Sequence, residues 1–255
     1  MKILAFCTSW WDNPLEASQR GDGMYGLKAW YARVQQFLGP CECFIACGTW
    51  SDPAYSPLSS WVQIINSGVT RTKPYEVVWW NYAGCAMTAA LAYALNRNDW
   101  DLLICLDTDV LIGAVDFPAL LTEFVSRPEL MLNQDWHGRP GGSFIVLKRE
   151  GASLYQHGRL RGNLVEKPDT LKYPDWEPIL IEDEWGLIFK DRWWSPWPQF
   201  KTMRQDYGQD AEKYVKPEET MQWPFVRLPH PKIIDDYLKF NTSRAKPLAA
   251  SSPSV

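Results

Sequence analysis

At 255 residues with 46% apolar side chains, the chain can build a sizeable core as one large α/β domain or two small ones. Its 26 basic and 30 acidic residues leave a formal net charge of -4, which argues against a nucleic-acid binder driven by bulk positive charge, although a local basic cleft stays open. No apolar run approaches the roughly 20 residues of a membrane helix, and the N-terminal MKILAFCTSWW is short and without a cleavage signal, so a soluble, cytoplasmic protein with no integral membrane segment is expected.

Residues 2–7 read as a first strand ending at Thr8-Ser9, followed by a polar, Gly-containing loop over 12–26. Residues 27–38 have helical spacing, with Leu27, Trp30, Tyr31, Val34, Phe37 and Leu38 on one face and a stop at Gly39-Pro40. Strands are expected at 43–47 and 61–65, the first ending in a stretch that contains Asp52. An Ala-rich helix over 81–95 has the small residues (Ala83, Gly84, Ala86, Ala89, Ala90) that allow close packing on a sheet, and it delivers the chain to residue 102. An amphipathic helix at 117–125 carries Pro118 near its first turn. A strand at 130–133, a flexible turn over 136–142, a strand at 143–147 and a helix at 150–158 follow. Then come a strand at 179–181, the acidic trio Glu182-Asp183-Glu184 and a helix opening over 185–189. Residues 192–231 are rich in Trp, Pro and Gln without a regular period, and residues 242–255 fit a disordered tail. The alternating first half predicts an α/β domain over 1–241 with a largely parallel sheet.

Fifteen Trp is a high count. Trp10-Trp11, Trp79-Trp80, Trp193-Trp194 and Trp197 fall in expected loops, where they would be sugar-stacking platforms or plugs under long loops; for any single one the plug is favoured. The six Cys form no CxxC pair. Cys41, Cys43 and Cys47 would share a strand face, but zinc would need a matching second pair, so buried free thiols in a reducing compartment are the better reading.

Residues 101–113, DLLICLDTDVLIG, hold the clearest functional signal. Five apolar residues fit a strand buried on both faces. Asp107 and Asp109 at its end are costly in a core, so they belong at the sheet's C-terminal edge, where open α/β sheets bind ligands. Two apart on a strand, their carboxylates would face one side and could share one ion. Hard divalent ions such as Mg²⁺ are often held by one or two carboxylates plus substrate phosphates. The bland reading is a turn with two solvated acids.

The Ala-rich helix, the short Asn98-Asp99 link and the apolar strand ending in Asp107-Thr108-Asp109 resemble the core of a GT-A-type glycosyltransferase. The early strands and the return strand over 141–149 resemble that fold too, the likeness covering roughly residues 1–190. It implies a GT-A-like, mostly parallel mixed sheet flanked by helices, with an irregular C-terminal segment. It implies a nucleotide-sugar donor, a carbohydrate or glycoconjugate acceptor, and Mn²⁺ or Mg²⁺ as cofactor. Asp109 would ligate the metal, and Asp107 would contact the ribose or reach the metal through water. Thr8 and Ser9 would lie near the base, Asp52 in the same pocket, and Asn81 and Gly84 near the donor, where a helix N-terminus favours anionic groups. The acidic trio stands where such enzymes carry an acid facing the sugar. Asp183 is the first choice as general base of an inverting reaction, with Glu184 and Glu182 behind it; an ordinary acidic helix start explains the trio equally simply. His230 would be a late metal ligand, with Lys232 adding positive charge. His137 would face the acceptor, His157 is a helix-end histidine, and Trp193, Trp194 and Trp197 would line the acceptor's entry.

The same strand motif also fits a haloacid-dehalogenase-like phosphatase, with Asp107 as nucleophile, Asp109 as acid/base, Asp235-Asp236 as late metal carboxylates and Lys232 nearby. Against it, the motif comes after about 100 residues of alternating strand and helix, and Val110 replaces the usual Gly. A non-catalytic carbohydrate-binding protein would use the Trp loops but leaves the paired acids unexplained.

Overall fold

A computed structural model describes residues 1–9, 24–47, 62–66, 79–107, 110–112, 115–136, 138–141, 144–161, 181–197, 203–205 and 225–227. The main sheet is built from β1 (Ile3–Ser9), β2 (Glu42–Cys47), β3 (Gln63–Asn66), β4 (Leu102–Leu106), β6 (Met131–Leu132), β9 (Phe144–Lys148) and β10 (Trp193–Trp194). Across it the order is β10-β6-β9-β4-β1-β2-β3. β1 runs parallel to β2 and β4, β2 to β3, and β6 to β10, while β9 is antiparallel to both β4 and β6. The largely parallel sheet expected from the alternating first half is therefore present, with β9 as its one reversed strand.

Both faces are covered, which is why β4 is apolar at every position. On one face Ala5, Cys7, Cys43, Ile45, Leu102, Ile104 and Leu106 meet Trp30 and Val34 of α1 (Met24–Leu38), together with Leu120, Leu121 and Phe124 of α3 (Phe117–Ser126). On the other, Leu4, Phe6, Phe44, Leu103 and Cys105 meet Ala86, Ala90, Leu91 and Ala94 of α2 (Trp79–Leu95). Ile145 and Leu147 of β9 lie in that same layer with Ala152 and Tyr155 of α4 (Arg149–Arg161) and Trp185 and Phe189 of α5 (Ile181–Phe189). Successive residues of β1 and β4 alternate between these two layers, as a period of two requires. The α3 start is fixed locally: the Asp116 side chain accepts the Ala119 N–H at 3.1 Å, and Pro118 occupies the first turn.

Several boundaries differ from those read in the sequence. α1 starts at Met24 and α2 at Trp79, so Trp79 and Trp80 open a helix and do not lie in a loop. Ile181 begins α5 and does not end a strand, which places the whole acidic trio inside the helix's first turn. The turn expected over 136–142 contains a two-residue hairpin, β7 (Asp135–Trp136) against β8 (Arg139–Pro140), with Gly138 at φ +81° in between. β5 (Val110–Ile112) does not prolong β4; it pairs antiparallel with β12 (Phe225–Arg227), which runs parallel to β11 (Met203–Gln205), in a separate three-stranded sheet. The irregular second half thus returns a strand to the segment that follows the paired acids. The tail at 242–255 lies outside the described residues.

Candidate functional site

The strand directions put the ends of β1, β2, β3, β4, β6 and β10 and the beginning of β9 along one edge. α2 crosses from β3 to the parallel β4, so its N-terminus lies at that edge as well. α4 follows the reversed β9, and α5 leads back into β10, so α5 also begins there; it packs against β8 of the hairpin.

Asp107 is the first residue past β4 and is half-buried. The register pairs Phe6 with Cys105, and two residues further on Thr8 and Asp107 come level. β4 ends at Leu106. The Val110 N–H donates to the Asp107 carbonyl at 3.2 Å, closing a turn before the chain enters β5. Asp109 lies outside the described residues, so the expected same-side placement of the two acids is not described.

The end of β4 is held from α1. The Trp30 indole N–H donates to the Leu106 carbonyl at 2.9 Å, in a fully buried bond. Arg33, one helical turn on, is also fully buried. The negative charge of Asp107 adds to burial in pushing the Cys105 thiol well above its ordinary range, so this thiol is an inert core residue. Replacing Trp30 with Phe should cost about 1–3 kcal/mol, because the Leu106 carbonyl stays buried without its donor. A urea titration with unchanged slope checks this; an unshifted midpoint would mean that the carbonyl finds another donor.

Thr8 is half-buried at the β1 end, with Ser9 next in the strand. Asn81 and Gly84 lie in the first two turns of α2, and Glu182, Asp183 and Glu184 in the first turn of α5. Topology thus brings Thr8, Ser9, Asp107, the α2 start and the acidic trio to one edge. Asp52, His137, His230, Lys232, Asp235 and Asp236 lie outside the described residues. His157 is exposed on α4 and lines a groove of about 740 Å³ with Arg149 and Arg192; Arg149 follows β9 at the opposite edge of the sheet.

The Trp cluster is structural where it is described. Trp193 and Trp194 form the edge strand β10 and not a loop. Trp194 stacks on Phe124 at 6.4 Å and lies 4.2 Å from the Arg127 guanidinium carbon. Trp197 meets Phe144 edge-on at 5.7 Å. These rings are half-buried against the core, the plug reading. Cys7, Cys41, Cys43 and Cys105 are free thiols, with the Cys41 and Cys43 sulfurs 3.9 Å apart.

As a hard oxygen donor at the mouth of a strand, Asp107 fits a divalent-ion ligand. Among the described residues no three His, Cys, Asp or Glu side chains converge as a metal set, so such a site would draw on Asp109 and His230. Among the described residues no helix is long and apolar enough to cross a membrane.

Two functional candidates were not singled out from the sequence, Asn133 and Gln134. They follow β6 at the same edge and are 0% and 1% exposed. Polar residues directly after a short apolar run were the available signal.

No family model and no curated protein matches the sequence. The fold, by contrast, matches solved structures. An active-site mutant of LgtC superposes with a TM-score of 0.52 at 10% identity, covering 94% of this chain and 95% of that one. The galactosyltransferase LgtC in complex with donor and acceptor sugar analogues gives 0.51 at 11% identity, with 96% of each chain covered. The bifunctional glycosyltransferase WbbM gives 0.50 at 10% identity over 93% of this chain and 49% of its own. The chain has the GT-A glycosyltransferase fold, which agrees with the expectation from the sequence.

Proposed function

We propose that this chain is a glycosyltransferase that moves a sugar from a nucleoside-diphosphate sugar to an acceptor hydroxyl on a carbohydrate or glycoconjugate, with a divalent metal and with inversion. The observation that carries this is Asp107, set by a buried central strand at the C-terminal edge of a GT-A sheet, level with Thr8 at the end of β1. In that reading the nucleotide lies over β1–β3, with Thr8 and Ser9 near the base and Asp52 and Asn81 as further donor contacts. Asp107, Asp109 and His230 would hold Mn²⁺ or Mg²⁺, which when bound neutralises charge on the departing diphosphate. The chain's own chemical step is proton removal: Asp183 accepts the acceptor hydroxyl proton as the oxygen attacks the anomeric carbon, with Glu184 as the alternative. The free thiols support a reducing, cytoplasmic setting. The three structures named above come from glycosyltransferases, which weighs against the phosphatase and carbohydrate-binding alternatives.

The test is turnover. Incubation with UDP-, GDP- and dTDP-sugars should release nucleoside diphosphate from one of them, only with Mn²⁺ or Mg²⁺, and faster with a sugar acceptor. Release of inorganic phosphate from simple phosphomonoesters, or no turnover of any nucleotide sugar, would overturn the proposal.

A further inference from the structure

Asn133 and Gln134 each carry a buried polar atom without a partner at this edge. Asn133 Oδ1 accepts the Gln134 N–H at 2.6 Å and the Gly141 N–H at 3.0 Å, and the Gln134 carbonyl also accepts the Gly141 N–H at 3.0 Å. Two donors on one oxygen fix the amide's orientation, so the other end, Nδ2, is a donor. Asn133 Nδ2 and Gln134 Oε1 are both buried and without a hydrogen-bond partner. Buried polar groups are almost always paired, and leaving one donor and one acceptor unmade on consecutive residues costs folding free energy. Gly141 adds to this: a Cβ there would overlap the Gln134 carboxamide, so the absence of a side chain is what lets the carboxamide lie against the backbone.

Their position along the edge identifies a partner. β6 lies two strands from β4, on the side away from β1–β3, and two strand spacings are about 10 Å. A nucleotide sugar with its base over β1–β3 and its diphosphate at the end of β4 extends its sugar towards β9 and β6. Sugar hydroxyls each donate and accept, so a sugar can satisfy both an N–H and a C=O left unmade on consecutive residues. We propose that Asn133 and Gln134 read the transferred sugar, Asn133 Nδ2 donating to one ring hydroxyl and Gln134 Oε1 accepting from its neighbour. This inference rests on the transferase reading. Both atoms are buried, so the sugar reaches them only on a local opening of this edge.

The test separates sugar from nucleotide. Calorimetric titrations compare UDP with UDP-glucose and UDP-galactose, and GDP with GDP-mannose, on wild type, Asn133→Asp and Gln134→Met. Asn133→Asp keeps the oxygen that accepts both backbone N–H groups and replaces the donor; Gln134→Met keeps length and removes the acceptor. The expected result is unchanged nucleoside-diphosphate affinity in both variants, with the gain contributed by the sugar reduced about tenfold or more, since buried polar groups in such a site discriminate strongly. If Asn133→Asp does not fold, Gln134→Met decides alone. A sugar gain equal to wild type in the folded variants overturns the inference and leaves the transferase reading standing; a wild type that binds no nucleoside diphosphate overturns both.

Discussion

Replacing Asp183 with Asn should lower the rate of sugar transfer by about 10²–10⁴-fold while leaving nucleoside-diphosphate affinity unchanged. The substitution keeps size and hydrogen-bonding shape but removes the basic oxygen. Asp183 lies in the first turn of α5, a helix anchored by Trp185 and Phe189 in the core and packed on β8 at the ligand edge. That anchoring is what a general base needs, since a misplaced acceptor contact forfeits much of the rate. Steady-state kinetics beside a nucleotide titration separates the two quantities. A fall in nucleotide affinity with an unchanged rate at saturation would return the trio to helix-dipole duty, and a full loss in Glu184→Gln with none in Asp183→Asn would move the base by one residue.

Gly151→Ala should destabilise the fold by about 1–3 kcal/mol, although alanine is the better helix former by about 1 kcal/mol. Gly151 is buried in the first turn of α4, and a Cβ there would overlap the backbone carbonyl oxygen of Leu130. That oxygen cannot swing away freely, because it accepts the Lys148 N–H at 3.1 Å. The close approach seats α4 at the entry to β6, the strand that leads to Asn133. Gly186 in α5 is the control: a Cβ there meets nothing within 4 Å, so Gly186→Ala should be neutral or stabilising by up to about 1 kcal/mol. Chemical unfolding of the two variants checks the pair, and equal midpoints would show that β6 yields to the added methyl.

Where sequence and structure agree, the signal was local and long. The run from Leu102 to Leu106 fits a doubly covered strand, and the small residues of the Ala-rich stretch before it allow close packing. Pro118 marks the α3 start in chemistry that needs no tertiary context. The disagreements fall where pairing is distant or the element is too short for a period. Val110–Ile112 receives no element from the sequence because three apolar residues carry no register; their partner is Phe225–Arg227, more than a hundred residues away. Trp193-Trp194 and the hairpin at Asp135–Pro140 are two-residue strands, which no periodicity can reveal. The acidic trio reads as a helix start and lies in one; what differs is the strand expected at 179–181, since Ile181 already opens the helix. Asn133 and Gln134 were passed over since nothing in composition distinguishes a buried carboxamide from a solvated one; only the paired acceptors and the fit of Gly141 do so.

The most direct measurement is calorimetric titration of UDP, GDP and dTDP, with Mn²⁺ and after chelation, into wild type and Asp109→Ala. The predicted result is binding of one nucleoside diphosphate that needs the metal and weakens about 10–100-fold or more in the variant, as expected when a metal's ligand set is damaged. Binding that survives chelation, or that Asp109→Ala leaves intact, would contradict a diphosphate-metal site at the end of β4.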